Sequence, residues 1–307
     1  VKKNVDLLAQ IDLNLSSGQI FEINSSREKP YVNSASVKNT GWEFLVNYRK
    51  QLTKDFSIDA TLNLSTLKNE VLSLGDNVQP ITSGAMSSSF SDSPSITKPG
   101  EAIGSFYGYK INGFDADGNF IFADTDNNGS VDANDKVILG NPIPDFSYGL
   151  NLTMSYKDFD LTMFFQGVQG NEIFNQKKYT YYFDYSNNCV TDVLNAWTKN
   201  NQNTNIPIMK TQNTDGGNSL PSEFYIEDGS YFRCKNLQLG YNFPKSILNK
   251  ISFNKLRVYA GVQNLFTITN YSGYDPEVSS NALFSRGIDS ASYPNARTFT
   301  FGFNASF

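Results

Sequence analysis

The sequence predicts an all-β protein, a transmembrane antiparallel β-barrel, and three observations predict it. Segments of about ten residues alternate apolar and polar side chains with period two. The connections between them are by turns short and long. The chain ends on Phe307, after a strand that sets four phenylalanines on one face.

Composition narrows the field. The 307 residues are 39% hydrophobic, with a mean hydropathy of −0.39, which is enough for a core but too polar for a bundle of membrane helices. No run of about 18 apolar residues occurs, so no transmembrane helix is expected. Phe and Tyr, 24 and 17 of them, accompany many Asn, Ser and Thr, a mixture that suits strands. The net charge of −5 and the scattered basic residues argue against a nucleic-acid partner, which needs clustered Lys and Arg. The absence of His removes Ser-His-Asp and Cys-His catalysis, histidine-bound zinc and the two-histidine iron site. No carboxylate pair stands out for glycoside hydrolysis and no Gly-rich phosphate loop occurs, so no enzyme is expected. Cys189 and Cys234 lack CxxC spacing and are read as two unlinked thiols. The opening residues lack the apolar core of a signal peptide, so a leader has been removed or the chain is a piece of a longer one.

The strands follow in order. Trp42, Phe44, Val46 and Tyr48 alternate with Glu43, Asn47 and Arg49, with Leu45 the exception on the polar side. After a short polar turn at 51–55, Phe56, Ile58, Ala60, Leu62 and Leu64 alternate with Ser57, Asp59, Thr61, Asn63 and Ser65, which makes a hairpin. Tyr148, Leu150, Leu152, Met154 and Tyr156 repeat the pattern. Lys157 and Asp158 turn the chain, and Phe159, Leu161, Met163 and Phe165 return. Leu237, Leu239, Tyr241 and Phe243 mark another strand, 255–266 a further one, and Phe299, Phe301, Phe303, Ala305 and Phe307 the last. About eight to ten strands are expected, each near the length of about 9–11 residues that a tilted membrane strand needs. Aromatic rings at strand ends suit the two membrane interfaces. The whole of 1–307 is therefore read as one barrel portion, with long extracellular loops at about 73–100, 170–227 and 269–296 and short periplasmic turns between them.

Two constellations could carry chemistry. In the segment from Asp124 to Asp135, candidate oxygen ligands recur at Asp124, Asp126, Asn128, Ser130, Asp132 and Asp135, with Gly129 at the sharp turn. This follows the calcium-loop template except for Asp in place of the final Glu, and predicts a structural Ca2+ site; the bland alternative is a self-capping acidic turn. The flanks look extended rather than helical. The aromatic run Tyr179, Tyr181, Tyr182, Phe183 and Tyr185, with Trp197 beyond, offers flat rings with hydroxyl handles. Tyr179, Tyr181, Tyr182 and Trp197 are the expected ligand contacts, against the alternative that they pack the loop on the barrel rim.

Several segments, taken in order, resemble the SusC-like (RagA/SusC) family of TonB-dependent outer-membrane transporters of Bacteroidetes. They are Asn39-Thr-Gly-Trp-Glu-Phe, Asn69-Glu-Val-Leu-Ser-Leu, Pro99-Gly-Glu-Ala-Ile-Gly-Ser-Phe-Tyr-Gly, the acidic loop and Asn141-Pro-Ile-Pro-Asp-Phe-Ser-Tyr-Gly. Later come Glu227-Asp-Gly-Ser-Tyr-Phe-Arg-Cys-Lys-Asn-Leu, Val262-Gln-Asn-Leu-Phe, Tyr274-Asp-Pro-Glu and the terminal Phe. The resemblance implies the C-terminal part of a 22-stranded barrel, its plug domain outside this chain. It also implies location in a Gram-negative outer membrane, contact with its lipid, and energy from TonB-ExbB-ExbD. A SusD-like surface lipoprotein would lid the barrel, and the cargo would be an oligosaccharide or a peptide. The reading it competes with is a soluble, calcium-stabilised β-sandwich that binds carbohydrate.

Overall fold

A computed structural model describes residues 2–10, 31–75, 78–85, 92–184, 188–210, 217–250, 253–278 and 283–307, with side chains from residue 35 onward. Its main feature is a seven-stranded antiparallel meander of β3 (Glu43–Gln51), β4 (Phe56–Thr66), β12 (Phe146–Tyr156), β13 (Phe159–Gln169), β16 (Tyr231–Asn242), β17 (Lys255–Thr269) and β18 (Thr298–Ser306). The remaining strands are β1 (Lys2–Gln10), β2 (Tyr31–Thr40), β5 (Lys68–Ser73), β6 (Ile81–Ser83), β7 (Ser95–Thr97), β8 (Ser105–Gly108), β9 (Ile111–Phe114), β10 (Phe120–Phe122), β11 (Val137–Gly140), β14 (Glu172–Phe174) and β15 (Ile226–Asp228).

Register explains the two faces of the sheet. Tyr48, Ala60, Leu152, Met163, Leu237, Val262 and Phe299 line up as partners across all seven strands, and so do Ile58, Met154, Leu161, Leu239, Ala260 and Phe301 across six. Side chains in a strand alternate, so these rows share one face. Phe299, Phe301 and Phe303 on it are 62%, 80% and 71% exposed, which only an apolar surrounding tolerates in such a stripe. Rings gather at both ends of the stripe. At the short-turn end Phe56 meets Tyr156 at 6.4 Å, Phe159 meets Tyr241 at 4.8 Å and Phe253 meets Phe307 at 4.6 Å. At the other end Phe146, Tyr148, Phe232, Phe165 and Phe266 form a chain of ring contacts of 5.5–6.3 Å. Ten residue steps from Phe146 to Tyr156 at about 3.3 Å each, tilted by roughly 40°, project to about 25 Å, the height of an outer-membrane apolar band.

The hairpin β3–β4 continues through a kink into β2 and β5, which pair with each other, and β1 pairs with β2. Gly41 makes the kink possible: a Cβ there would lie 1.9 Å from the Thr66 carbonyl oxygen. Trp42 and Thr66 close the corner, the Thr66 amide donating to the Trp42 carbonyl at 2.8 Å and the Trp42 amide to the Thr66 hydroxyl at 2.9 Å. Among the described residues the wall holds seven strands, one fewer than the eight to ten expected, and β1, β2 and β5 form a three-stranded sheet of their own. β16 begins six residues before the predicted Leu237. A bulge at Lys235 shifts its alternation, so that Phe232 and Cys234 lie on the apolar face before it and Leu237 after it.

The connections of the wall alternate in length, and the long ones are not bare loops. The first runs past residue 100 to β12 and carries β6 to β11; the second holds β14, β15 and short 3-10 and π turns. Strands of three or four residues span too little of a period to show in the sequence. Among the described residues, these segments contain the larger of two buried apolar clusters, built on Phe106, Phe120, Phe174, Tyr182, Phe183, Ala196, Ile206 and Tyr225. A second cluster, Ala35, Val37, Val71, Leu74 and Ile103, sits where β2 and β5 meet the first connection. The packed core therefore lies in the connections at one end of the wall, while the wall itself is one layer thick.

Candidate functional site

The face of the wall opposite the phenylalanine rows is polar and self-paired. The Thr61 hydroxyl donates to Asn47 Oδ1 at 2.7 Å, Arg49 Nε to Asp59 at 2.6 Å, and Arg257 Nε to Asp160 at 3.0 Å. Such a face, closed into a barrel, lines a wet lumen.

At the loop end of this face stands Arg233, 2% exposed on β16. Its Nε donates to the Thr267 hydroxyl at 2.7 Å, Nη1 to Glu277 at 2.7 Å, and Nη2 to Asp275. Lys235 adds a bond to Glu277 at 2.7 Å, and the Asn295 side-chain amide donates to both Asp275 and Glu277. Burial works to raise the Asp275 carboxyl, but hydrogen bonds from Arg233 and from the backbone of Asn295 and Glu277 outweigh it and hold it below its ordinary value. Two motifs some forty residues apart, Ser230-Tyr-Phe-Arg and Tyr274-Asp-Pro-Glu, thus meet as one charge network that pins the 270–297 connection over the lumen face. Sequence reasoning quoted both and paired neither; the only signal was a lone Arg on the polar side of a strand.

A second network ties that connection to 170–230. Lys177 and Asp289, both almost fully buried, pair at 3.0 Å, and the Tyr271 hydroxyl donates to Asp289 at 2.6 Å. Lys177 Nζ also lies 4.1 Å from the ring centre of Tyr274. Lys178 pairs with Glu227 at 2.8 Å and overcomes the effect of burial, keeping that carboxyl below its usual range. Three of these motifs meet in the same way near β2: the Asn69 side-chain Nδ2 donates to Asn39 Oδ1 at 2.8 Å, and the Ile103 backbone amide donates to Asn69 Oδ1 at 2.9 Å.

The four expected ligand aromatics divide. Tyr182 and Trp197 are 8% and 6% exposed. Tyr182 packs edge-on to Phe224 at 5.4 Å within the core, and Trp197 lies against Gly118, where a Cβ would come within 2.3 Å of the indole. Both rings are packed against neighbours, and a clustered ring pattern cannot say which rings the loops will cover. Trp197 still walls a cleft of about 360 Å³ with Val193, Leu194, Ile208 and Met209. Tyr179 packs beside the same core. Tyr181, half-buried like Tyr179 and packed on the same core, sets its hydroxyl 3.2 Å from that of Tyr274, an interaction that with burial pushes its pKa up to about 12. Tyr185 lies outside the described residues.

The acidic loop lies between two strands, β10 and β11, not between two helices. Asp124, Asp126 and Asp135 bring carboxylate oxygens within 4.8 Å of one another. Asp124 accepts from the amides of Asn128 and Gly129 at 3.1 and 2.8 Å, and Gly129 takes the positive φ of 91° that lets the loop close. Asp135, fully buried, accepts from Thr125 and Asp126 on one oxygen and from the Asp132 amide at 2.8 Å on the other; these bonds, the Asp132 amide foremost, lower its pKa. Asn128 joins through a 3.0 Å bond to Asp126, whereas Ser130 donates to Asn128 at 2.8 Å and Asp132 caps the following turn. Three of the six expected ligands converge; Asp132 is placed as a helix cap. Cys189 is exposed and Cys234 buried, and both are free thiols, as read from their spacing.

A wall with an apolar outer face, two aromatic girdles and a polar inner face defines a transmembrane β-barrel protein. No family model matches the chain. It is 37% identical over 299 residues to TonB-dependent receptor P3 of Formosa agariphila, covering 90% of this chain and 29% of that protein. It is 32% identical over 284 residues to TonB-dependent receptor SusC of Bacteroides thetaiotaomicron, covering 90% and 27%. The solved RagAB peptide transporter matches 100% of this chain and 32% of its own with a TM-score of 0.79 at 23% identity, a likeness of fold. The chain belongs to the SusC-like TonB-dependent receptors, and spans about a third of the length of the relatives it matches.

Proposed function

We propose that this chain forms part of the wall and the outer loops of a barrel that imports an oligomeric nutrient, a glycan or a peptide, across the outer membrane. The observation that supports this best is the two-sided wall, whose polar side is hydrogen-bonded and whose apolar side is bare. A soluble β-sandwich would need a second sheet over Phe299, Phe301 and Phe303, and among the described residues none lies there. Energy would come from TonB-ExbB-ExbD, and a SusD-like surface lipoprotein would close over the loops; the peptide cargo named for RagAB is one of the two cargo classes proposed. Tyr181, with Tyr179 packed on the same core, is the proposed first contact for cargo, and Trp197 walls a cleft of its own. The full-length protein is expected in the outer-membrane fraction, soluble only in detergent, and Tyr181→Ala is expected to lower uptake of labelled oligosaccharide or peptide several-fold. A water-soluble protein would end the reading; unchanged uptake would remove Tyr181 from it.

The acidic loop is proposed to hold a structural Ca2+ through Asp124 and Asp126, with Asn128 near and Asp135 contributing through its less occupied oxygen Oδ2. Calcium is expected to reduce amide exchange at 124–135 in the native protein, and Asp124→Asn with Asp126→Asn to abolish that response. Equal exchange with and without calcium would leave the loop a self-capped turn.

A further inference from the structure

The charge network around Arg233 borders a cavity. β18 pairs with β17 only as far as Gln263, so from Asn264 to Thr269 that edge of β17 has no strand beside it among the described residues. The 294–297 segment returns to this edge, and a cavity of about 310 Å³ opens there, lined in part by Arg233, Asn264, Thr267, Tyr274, Asn295 and Arg297. The bulge fixes the return. Asn264, at its φ of 52°, donates through Nδ2 to the Ala296 carbonyl at 2.9 Å, and Arg297 Nε donates to the Asn264 carbonyl at 3.5 Å.

The charges at this cavity do not cancel. Arg233 and Lys235 are matched by Asp275 and Glu277. Both Asp275 oxygens are taken, one by Arg233 and the Glu277 amide, the other by the backbone and side-chain nitrogens of Asn295. Arg297 is left over: it is exposed, and among the described residues neither of its Nη groups has a partner. The Thr267 hydroxyl accepts from Arg233 Nε and has no acceptor for its own proton among the described residues. An unmatched guanidinium fork and a spare hydroxyl donor suit a carboxylate. Tyr274 supplies a flat wall. The Lys177 ammonium covers one face of its ring, yet the residue stays 65% exposed. A sugar ring can lie on such a wall and hydrogen-bond at its edges, whereas no Leu, Ile, Val or Met lines the cavity to receive an aliphatic side chain.

We propose that this cavity is a cargo subsite for a uronate, with the carboxylate on Arg297 and Thr267 and the sugar face on Tyr274. The inference deepens the import reading and rests on it, since the Tyr274 hydroxyl meets that of Tyr181, the proposed first contact for cargo.

The test is calorimetry on the full-length protein in detergent, with hexagalacturonate as the probe, its carboxyl-reduced form as the neutral control and hexaglutamate as a peptide bearing the same charged group. Arg297→Gln is expected to weaken hexagalacturonate binding about tenfold, with the heat-dependent gel mobility of a folded barrel kept. Arg297→Lys, which keeps the charge but not the fork, is expected to recover part of it, and Tyr274→Leu to weaken binding several-fold. The neutral hexamer is expected to bind weakly and to ignore Arg297→Gln. No binding of hexagalacturonate, or equal affinity in the native and Arg297→Gln proteins, overturns the site. Tighter binding of hexaglutamate with the same dependence on Arg297 overturns the uronate in favour of a peptide carboxylate. Calorimetry requires neither TonB nor a membrane, so a failed site leaves outer-membrane location and uptake as they are. A protein that binds the hexamer and imports nothing loses the import reading and keeps the site.

Discussion

Arg233→Ala is expected to release the 270–297 connection from the lumen face. The guanidinium is 2% exposed and its partner Asp275 only 9%, so truncation leaves a buried carboxylate without its countercharge. Removing one partner of a buried ion pair costs about 3–5 kcal/mol, well above a surface pair at roughly 0–1 kcal/mol. Amide exchange at 270–278 and 283–297 measures it: protection is expected to fall there while the strands of the wall keep theirs. Arg233→Lys keeps the charge but not the fork that reaches Thr267, Asp275 and Glu277 together, and is expected to recover only part of the protection. Unchanged protection in the alanine variant would sink the idea that this network pins the connection. The pH dependence has a definite sign. Asp275 has a folded pKa below its ordinary 3.8, so its contribution is fully present above that value and is lost as pH falls through the lower, folded one. Glu227 and Asp289, also lowered, act in the same sense, whereas burial raises Glu172. The connections are therefore expected to loosen below about pH 4, ahead of the wall.

The wall was legible because lipid on one side and water on the other impose period two on every strand, and register carries that period across seven of them. It failed only where geometry breaks the period, at the Lys235 bulge opposite the Asn264 bulge with its φ of 52°. The loop core was not legible. Phe106, Phe174 and Tyr225 come together from three distant segments, and no local pattern announces contacts of such separation. The same limit explains the aromatics: Tyr182 and Trp197 have the composition of a binding surface and the burial of a core. The acidic loop was legible because its carboxylates lie within twelve residues, and Asp124, Asp126 and Asp135 come together.

Phe174→Ala tests whether this loop core stands apart from the barrel wall. The ring is fully buried, stacked on Tyr225 at 5.1 Å with a 10° interplanar angle and 5.9 Å from Phe106. Its backbone binds the third connection as well, the amide donating to the Gly287 carbonyl at 3.0 Å and the carbonyl accepting from Asp289 at 2.9 Å. Truncating a buried Phe costs about 3–5 kcal/mol, since the cavity adds to the lost transfer energy. None of the phenylalanines on the outer face shares this cluster, so the cost falls on the connections alone. The variant is expected to insert and keep the gel mobility of a folded barrel while its 170–230 segment becomes open to added protease and uptake falls. Phe301→Ala, at 80% exposure on the lipid side, is expected to leave that segment resistant. If Phe174→Ala instead prevents the strands from assembling, the loop core is part of how the barrel forms, and the division between a wall held by register and loops held by burial would have to be given up.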